Sequence, residues 1–467
     1  MRVLIKNGTV LTDVDEYKAD VLIEDEKIAA IGFSLEEKAD QIIDATGKYV
    51  MPGGVDQHTH FSALCNVGNK DTAGYETTDS AIRGGTTTII DFAPQDPDTG
   101  LLDSIDYRIN VRAKDKACVD FSLHAMITYI MDSMFDEIKQ FPDKGISNIK
   151  AFMAYNGSPL HCDDGTLVRI MEECKKVGAT VFVHAESGEI INFLRDECVK
   201  RGQLTPHYHY VSRPPYTEAE GVHRACYLAE KTGVPLYIAH VTSREALEEI
   251  VYARGRGVNV NGETCTHYLT TTKEVLDNSD FNEAAKYVCS PALRDQEDID
   301  ALWDALNKGL LTAISSDHCG IDVKELKQAG RDNFTNIPNG SPGAGDRFAM
   351  VWTYGVEAGR ISKNKFVELI SSKPAKINGI YPRKGAIQVG SDADIVIFDP
   401  DYEGVIRLED NPNGVDYNIY EGRKQIGKID MVFLRGNLAV EDGKFVGTYG
   451  MGKFIPAEMY AACYNGV

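Results

Sequence analysis

Apolar and polar positions follow two different textures along this chain. From residue 1 to about 52, short apolar runs are cut by Gly, Asp and Asn: Val3-Leu4-Ile5-Lys6-Asn7-Gly8, Ala19-Asp20-Val21-Leu22-Ile23, Ile28-Ala29-Ala30-Ile31-Gly32 and Gln41-Ile42-Ile43-Asp44. Runs this short, bounded by turn formers, predict strands rather than helices. The texture returns in Ala393-Asp394-Ile395-Val396-Ile397-Phe398-Asp399-Pro400 and Ile429-Asp430-Met431-Val432-Phe433-Leu434-Arg435-Gly436. Unpaired sheet edges favour pairing, so the two ends of the chain are expected to build one β domain.

Between them the rhythm is strand, loop, helix, repeated. Strand-like runs begin with Gly53 to His60 and continue with Gly85 to Phe92, Phe121 to Ile127, Asn148 to Tyr155, Thr180 to His184, Pro235 to His240, Val258 to Thr264 and Leu311 to Asp317. Helical patterns fill the gaps. In one of them Thr217 and Glu220 read as a capping box, Val222, Ala225, Cys226 and Ala229 follow at helical spacing, and Gly233 closes the helix. Eight strands alternating with helices predict an α/β chain with a (β/α)8 TIM-like barrel. No Gly-rich phosphate loop follows any strand, which disfavours an open doubly wound sheet. The expected layout is a barrel over 53–380 and a small β-sandwich domain from 1–52 and 381–467, with the Gly/Pro/Asn-rich segment Arg331 to Gly345 lying over the barrel mouth.

Composition narrows the function. Length 467 with 43% hydrophobic and 25% charged residues is the balance of a globular protein with a large core. A formal net charge of −21 argues against a nucleic-acid partner held through a basic face. The longest apolar runs fall well short of the roughly 20 residues of a membrane span, and Met1 to Gly8 is too short for a signal peptide, so a cytoplasmic location is expected. Ten cysteines lack zinc-ribbon or redox spacing and read as reduced, structural thiols.

The candidate chemistry starts at Gly53-Gly54-Val55-Asp56-Gln57-His58-Thr59-His60. Side chains two apart on a strand point the same way, so His58 and His60 reach one ion together. Lys150, His184, His240 and Asp317 also lie at or near the C-terminal ends of strand runs, and in a barrel such ends converge. Each taken alone has an ordinary reading: a hydrogen-bonded His, a capping Asp, a solvated Lys. Lys150 fits its ordinary reading least, because an ammonium inside an apolar strand costs several kcal/mol unless paired or neutralised. A shared metal site accounts for all of them at once, with nitrogen and oxygen ligands suited to zinc, manganese or cobalt.

With these residues in place, the sequence resembles the cyclic amidohydrolases of the dihydropyrimidinase and D-hydantoinase group, within the amidohydrolase superfamily. The resemblance runs from Leu4-Ile5-Lys6-Asn7-Gly8-Thr9 through Pro52 to His60 to Gly390-Ser391-Asp392-Ala393-Asp394-Ile395-Val396-Ile397. It implies two divalent ions, zinc foremost, with His58, His60 and Asp317 on one, His184 and His240 on the other, and Lys150 carboxylated by carbon dioxide to bridge both. It further implies attack by a metal-bridging hydroxide, with Asp317 as general base and acid. Tyr155 would hydrogen-bond the oxyanion, and Ser290 and Asn339 would bind the cyclic diamide through backbone groups. A homotetramer is implied as well, and the tail Tyr449 to Val467, with Phe454, Ile455, Met459 and Tyr460, is expected to dock on a neighbour.

Two enzyme alternatives and one of another class stand beside this reading. Dihydroorotases usually carry an arginine where Ser62 stands, which argues against an acidic substrate, and allantoinases generally lack the tyrosine seen as Tyr155. Allantoinase is the runner-up. Non-catalytic assembly proteins of this fold have lost the metal ligands, whereas all of them are present here. The loops Phe61 to Gly68 and Asn156 to Asp163 depart from the group's usual pattern and are expected to line the substituent pocket. His124, His161, His207, His209, His223 and His267 read as structural. His318 and Cys319 read as support for Asp317 or as packing, and Cys65, Cys162 and Cys289 lack a base partner that would mark a nucleophile.

Overall fold

A computed structural model describes residues 1–36, 38–63, 70–411 and 413–459. Its centre is a closed ring of parallel strands: β1 (Gly54–His60), β2 (Thr86–Pro94), β3 (Asp120–Met126), β4 (Asn148–Phe152), β5 (Thr180–His184), β6 (Leu236–Ile238), β7 (Val260–Cys265) and β8 (Ala313–Ser315), each paired with its predecessor. Every residue of β4, β5 and β6 is buried, the pattern of parallel strands covered on both faces. Closure uses a break in the last strand. Ala313–Ser315 pairs with β7, and after Ser316 and Asp317 the chain resumes as His318–Cys319 against Thr59 and His60 of β1. Across that seam the Ser316 N–H donates to Asp56 Oδ1 at 3.1 Å.

The two ends of the chain form one domain of two sheets. Arg2–Lys6 lies between Asp20–Glu24 and Gln41–Asp44 in a four-stranded sheet. In the seven-stranded sheet Tyr49–Pro52 pairs antiparallel with Ile395 to Phe398, so N- and C-terminal segments share a ladder. Val3, Ile5, Val10, Val21, Ile23, Val50, Ile395, Ile397 and Phe433 fill a common core. A buried ion cluster fastens this domain to the barrel. Lys384 Nζ, fully buried, donates to Asp120 at the start of β3, to Asp394 at 2.8 Å and lies 3.0 Å from Asp392. Arg435 makes a second ion pair to Asp120.

One local expectation is corrected. The helix predicted to start with a capping box at Thr217 runs from Pro215 to Thr232, with no side-chain cap. Pro215 supplies a fixed φ at the first helical turn, where no N–H is needed, and Thr217 Oγ1 turns back to the Pro214 carbonyl at 2.8 Å. Gly233, in the left-handed conformation at φ 69°, ends the helix as expected. The apolar tail residues pack on their own barrel. Ile455 is buried with Val55, Ile90 and Ile380 under the ring, Phe454 meets Phe121, and backbone bonds from Ile455 to Phe121 and from Ala457 to Gly145 hold the segment. Met459 is half-buried, and Tyr460 lies outside the described residues. Among the described residues no helix is long and apolar enough to cross a membrane.

Candidate metal centre and substrate cleft

His58 and His60 come from the last turn of β1's alternation, Lys150 from the middle of β4, and His184 ends β5. His240 stands two residues beyond β6, Asp317 in the break of the closing strand, and Tyr155 three residues beyond β4. Ser290 and Asn339 arrive on loops. All of them line one cleft of about 210 Å³ at the C-terminal ends of the strands, with Ala63, Met126, Phe152, Leu160 and Ile321 as its apolar wall. Leu160 comes from the loop Asn156 to Asp163, and Pro338, Asn339 and Gly340 from the segment expected over the mouth. Residues 64–69, including Cys65 and most of the other unusual loop, lie outside the described residues.

The ring nitrogens are sorted by their outer partners. His58 donates from Nδ1 to Glu263, which leaves Nε2 facing Asp317 Oδ1 at 3.2 Å, and His60 Nε2 lies 3.2 Å from the same oxygen. Ligand atoms of these three residues fall within 4.8 Å of one another. His184 donates from Nε2 to Glu186 at 2.7 Å, so its Nδ1 is the atom that faces His240 Nε2 at 3.0 Å. Two ligands 2.0–2.1 Å from a tetrahedral zinc stand about 3.3 Å apart, so both groups suit such an ion closely. Glu263 is held in turn by Ser315 and by Gln57 Nε2 at 2.7 Å, and Glu186 by Arg213 at 3.0 Å.

Burial decides the charge states. It holds His58 and His240 well below the ordinary histidine range, His58 with help from the Lys150 ammonium and His240 from His184 and Lys150, which keeps these rings in the neutral form that binds metals. Burial would raise the Asp317 carboxyl, but His58 and His60 hold it far below the usual carboxylate range. Glu186 is likewise opposed by burial and brought down to about 2 by Arg213 and His184. Lys150 is 1% exposed, and among the described residues its Nζ has no hydrogen-bond or ion-pair partner; it faces the rings of Phe182, Phe92 and Phe152 at 4.8, 5.2 and 5.4 Å. Desolvation lowers its pKa, although Asp317 and Glu263 partly offset this. Three site residues, Tyr155, His240 and Asp317, adopt left-handed backbone at φ 65°, 35° and 48°. Such conformations cost non-glycine residues about 1–3 kcal/mol each and concentrate at functional sites.

The other marked residues each have a place of their own. His124 bonds the Gln57 carbonyl, His209 the Cys289 carbonyl, His207 Asp277, His223 Glu249, and His161 lies near Asn156 within its loop. His267 packs against the Tyr268 ring at a tilt of 48°. His318 stacks on Phe61 and accepts from the Gly343 N–H at 3.2 Å, so it anchors the loop behind Asp317. Cys319 lines the cleft, while Cys162 and Cys289 are buried with thiols raised to about 11 and about 12 by burial, which leaves them inert at neutral pH. Sequence reasoning alone misses the orienting carboxylates Glu186 and Glu263. Glu263, like Lys150, is a charge inside a buried strand, and Glu186 follows His184 by two residues.

The chain matches known proteins over nearly its whole length. The amidohydrolase family profile aligns over residues 49–439. Over 461 residues the chain is 45% identical to a D-hydantoinase of Ralstonia pickettii, spanning 98% of this chain and 100% of that one. It is 37% identical over 467 residues to a dihydropyrimidinase of Rattus norvegicus, spanning 98% and 89%. The crystal structure of a dihydropyrimidinase from Brevibacillus agri superposes with a TM-score of 0.96 at 40% identity, over 99% of this chain and 100% of that one. This chain belongs to the amidohydrolase family, in the group of cyclic amidohydrolases formed by the hydantoinases and dihydropyrimidinases.

Proposed function

We propose that this enzyme opens a cyclic diamide, a 5,6-dihydropyrimidine or a 5-substituted hydantoin, to an N-carbamoyl amino acid. The observation that supports it best is the pairing of a His58–His60–Asp317 trio with a His184–His240 pair around Lys150, whose Nζ has no hydrogen-bond or ion-pair partner among the described residues. The donor set fits two divalent ions, zinc first, manganese or cobalt also. Carboxylation of the Lys150 amine would replace a desolvated cation by an anionic oxygen donor shared between the two groups. When bound, two such ions lower the pKa of a water to about 7 and polarise the carbonyl.

The chain's own groups do the rest. Asp317 accepts the proton of the attacking water and delivers it to the ring nitrogen as the C–N bond breaks, so that this nitrogen becomes the terminal amide of the carbamoyl group. The Tyr155 phenol, raised by burial and therefore protonated at neutral pH, donates to the developing oxyanion. Ser290 and Asn339 hold the ring amide. The wall of Ala63, Met126, Phe152, Leu160 and Ile321 carries no charge and suits an apolar substituent. We place the enzyme in the cytoplasm, in keeping with the seven buried free cysteines among the described residues, and as a homotetramer, in keeping with the group.

The test is ring opening of dihydrouracil, phenylhydantoin and allantoin side by side, with protein produced with divalent metal and bicarbonate. Opening of either of the first two, abolished by a chelator, is the expected result. Opening of allantoin alone would move the enzyme to the allantoinases, and metal binding without activity on any ring would favour an assembly role. Lys150→Ala should lose metal and activity together, and full activity of a metal-free Lys150→Ala protein would refute the mechanism.

A further inference from the structure

Lys327 is a lysine of the loop behind the cleft, 0% exposed, at the start of the short turn Lys327–Gly330. Its Nζ donates to the carbonyl oxygens of Val288, at 3.2 Å, and Pro338, at 3.3 Å. Those two carbonyls belong to the two segments that bring Ser290 and Asn339 to the cleft. The Pro338 carbonyl and the Asn339 N–H are one peptide unit, so a cation on the oxygen polarises the N–H and makes it a stronger donor. The Val288 carbonyl also accepts from the Gly340 N–H at 3.0 Å, which couples the segments directly. Gly340 makes that bond from φ 125°, a conformation that other residues rarely adopt.

The remaining fastenings of this rim are made by neutral donors. His209, brought down to about 3 chiefly by burial and therefore neutral, bonds the Cys289 carbonyl at 2.7 Å, the Tyr268 hydroxyl the Pro291 carbonyl at 2.7 Å, and Ser341 Oγ the Lys286 carbonyl at 2.6 Å. Ser290 Oγ itself is buried at the cleft with no hydrogen-bond partner among the described residues. A neutral donor would satisfy the Val288 and Pro338 carbonyls without the desolvation cost of an ammonium. What the charge adds is a fixed spacing between two loops and a polarised donor.

We infer that Lys327 is the positioning residue of the ring-reading rim: by holding the Val288 and Pro338 carbonyls it sets the separation of Ser290 and Asn339 and the donor strength of the Asn339 N–H. The inference rests on the proposed reading of Ser290 and Asn339 as the residues that hold the ring amide. It predicts an effect on substrate capture that is blind to the substituent, because the rim touches only the ring.

The metal-loaded full chain is assayed on two hydantoins that differ only at position 5, as wild type, Lys327→Met and Lys327→Gln. In Lys327→Met, KM should rise about 10- to 100-fold, by the same factor for both substrates, with kcat within about threefold and metal content unchanged. Lys327→Gln, whose amide still donates to carbonyls, should recover part of the loss. An unchanged KM in Lys327→Met with a fallen kcat or metal content overturns the inference, as does a KM effect that differs between the substituents. If Lys327→Met does not fold, an unchanged KM in Lys327→Gln overturns it and an intermediate rise supports it. A wild type that opens neither hydantoin is assayed in the same way on dihydrouracil and a 5-substituted dihydrouracil, and one that opens none of these rings would overturn the proposed function, and this inference with it; an active wild type beside a Lys327→Met of unchanged KM overturns the inference alone.

Discussion

Replacing Lys384 by Met tests how the β domain is fastened to the barrel. The ammonium is the shared partner of three carboxylates, and its loss is felt unequally. Asp120 keeps Arg435, and Asp392 keeps Lys27 at 2.6 Å and Arg383 at 3.1 Å. Asp394 keeps only the backbone N–H of Arg435 at 2.8 Å as a direct donor among the described residues. Removing one partner of a buried pair costs about 3–5 kcal/mol, because the charge left behind is uncompensated. Burial already pushes the Asp394 carboxyl above its ordinary value, and without Lys384 it rises further and takes up a proton. The folded variant then binds a proton that the unfolded chain, titrating at about 3.9, has released. Its stability is therefore fully present below that pH and is lost as pH rises through the folded value. Urea denaturation, or the half-life at fixed temperature where unfolding is irreversible, should show a loss of about 3–5 kcal/mol at pH 8 and a smaller one at pH 5. Lys384→Met/Asp394→Asn should recover more than half. A loss under about 1 kcal/mol, or no recovery in the double variant, would refute the reasoning.

Other perturbations separate the roles within the site. Asp317→Asn should lower turnover about 10²- to 10⁴-fold with at most a partial loss of metal, checked by kinetics and metal analysis on one preparation. Glu263→Gln should weaken metal binding about 10- to 100-fold through the His58 ring it orients, read by competition with a chelator, while the His184–His240 pair keeps its affinity. Asp346, raised to about 7 by burial against the amides of Asn413 and Asn418, should make the wild type lose stability as pH rises from about 4 through 7. Asp346→Asn should flatten that slope, and equal slopes in the two proteins by denaturation at pH 5 and pH 8 would show that the carboxyl is not the cause.

Much of the architecture is legible in the sequence because parallel barrel strands are buried on both faces and read as continuous apolar runs, as in Thr180 to His184. Less legible are features set by competition between local signals or by distant contacts. Thr217 and Glu220 have capping-box spacing, yet the prolines before them start the helix earlier. Leu311 to Asp317 reads as one strand, whereas only Ala313–Ser315 pairs with β7, Asp317 turns left-handed at the break, and the chain meets β1 only beyond it, at His318–Cys319. The apolar tail looks like an outward surface until the underside of the barrel is there to receive it. Glu263 and Glu186 are marked only by their placement, one inside a buried strand and the other two residues after His184, since Gln57, His58, Ser315 and Arg213, which also hold them, come from other strands and loops.

The break in the closing strand gives the site a second meaning. His58 and His60 come from the first strand of the ring and Asp317 from the last, and Asp56 and Ser316 are joined across the same seam. A chain growing from its N-terminus therefore carries two of the trio through most of its synthesis and completes it only when the final strand arrives. An ion held by those three residues would clasp the ring shut, so its uptake would report that the barrel has closed.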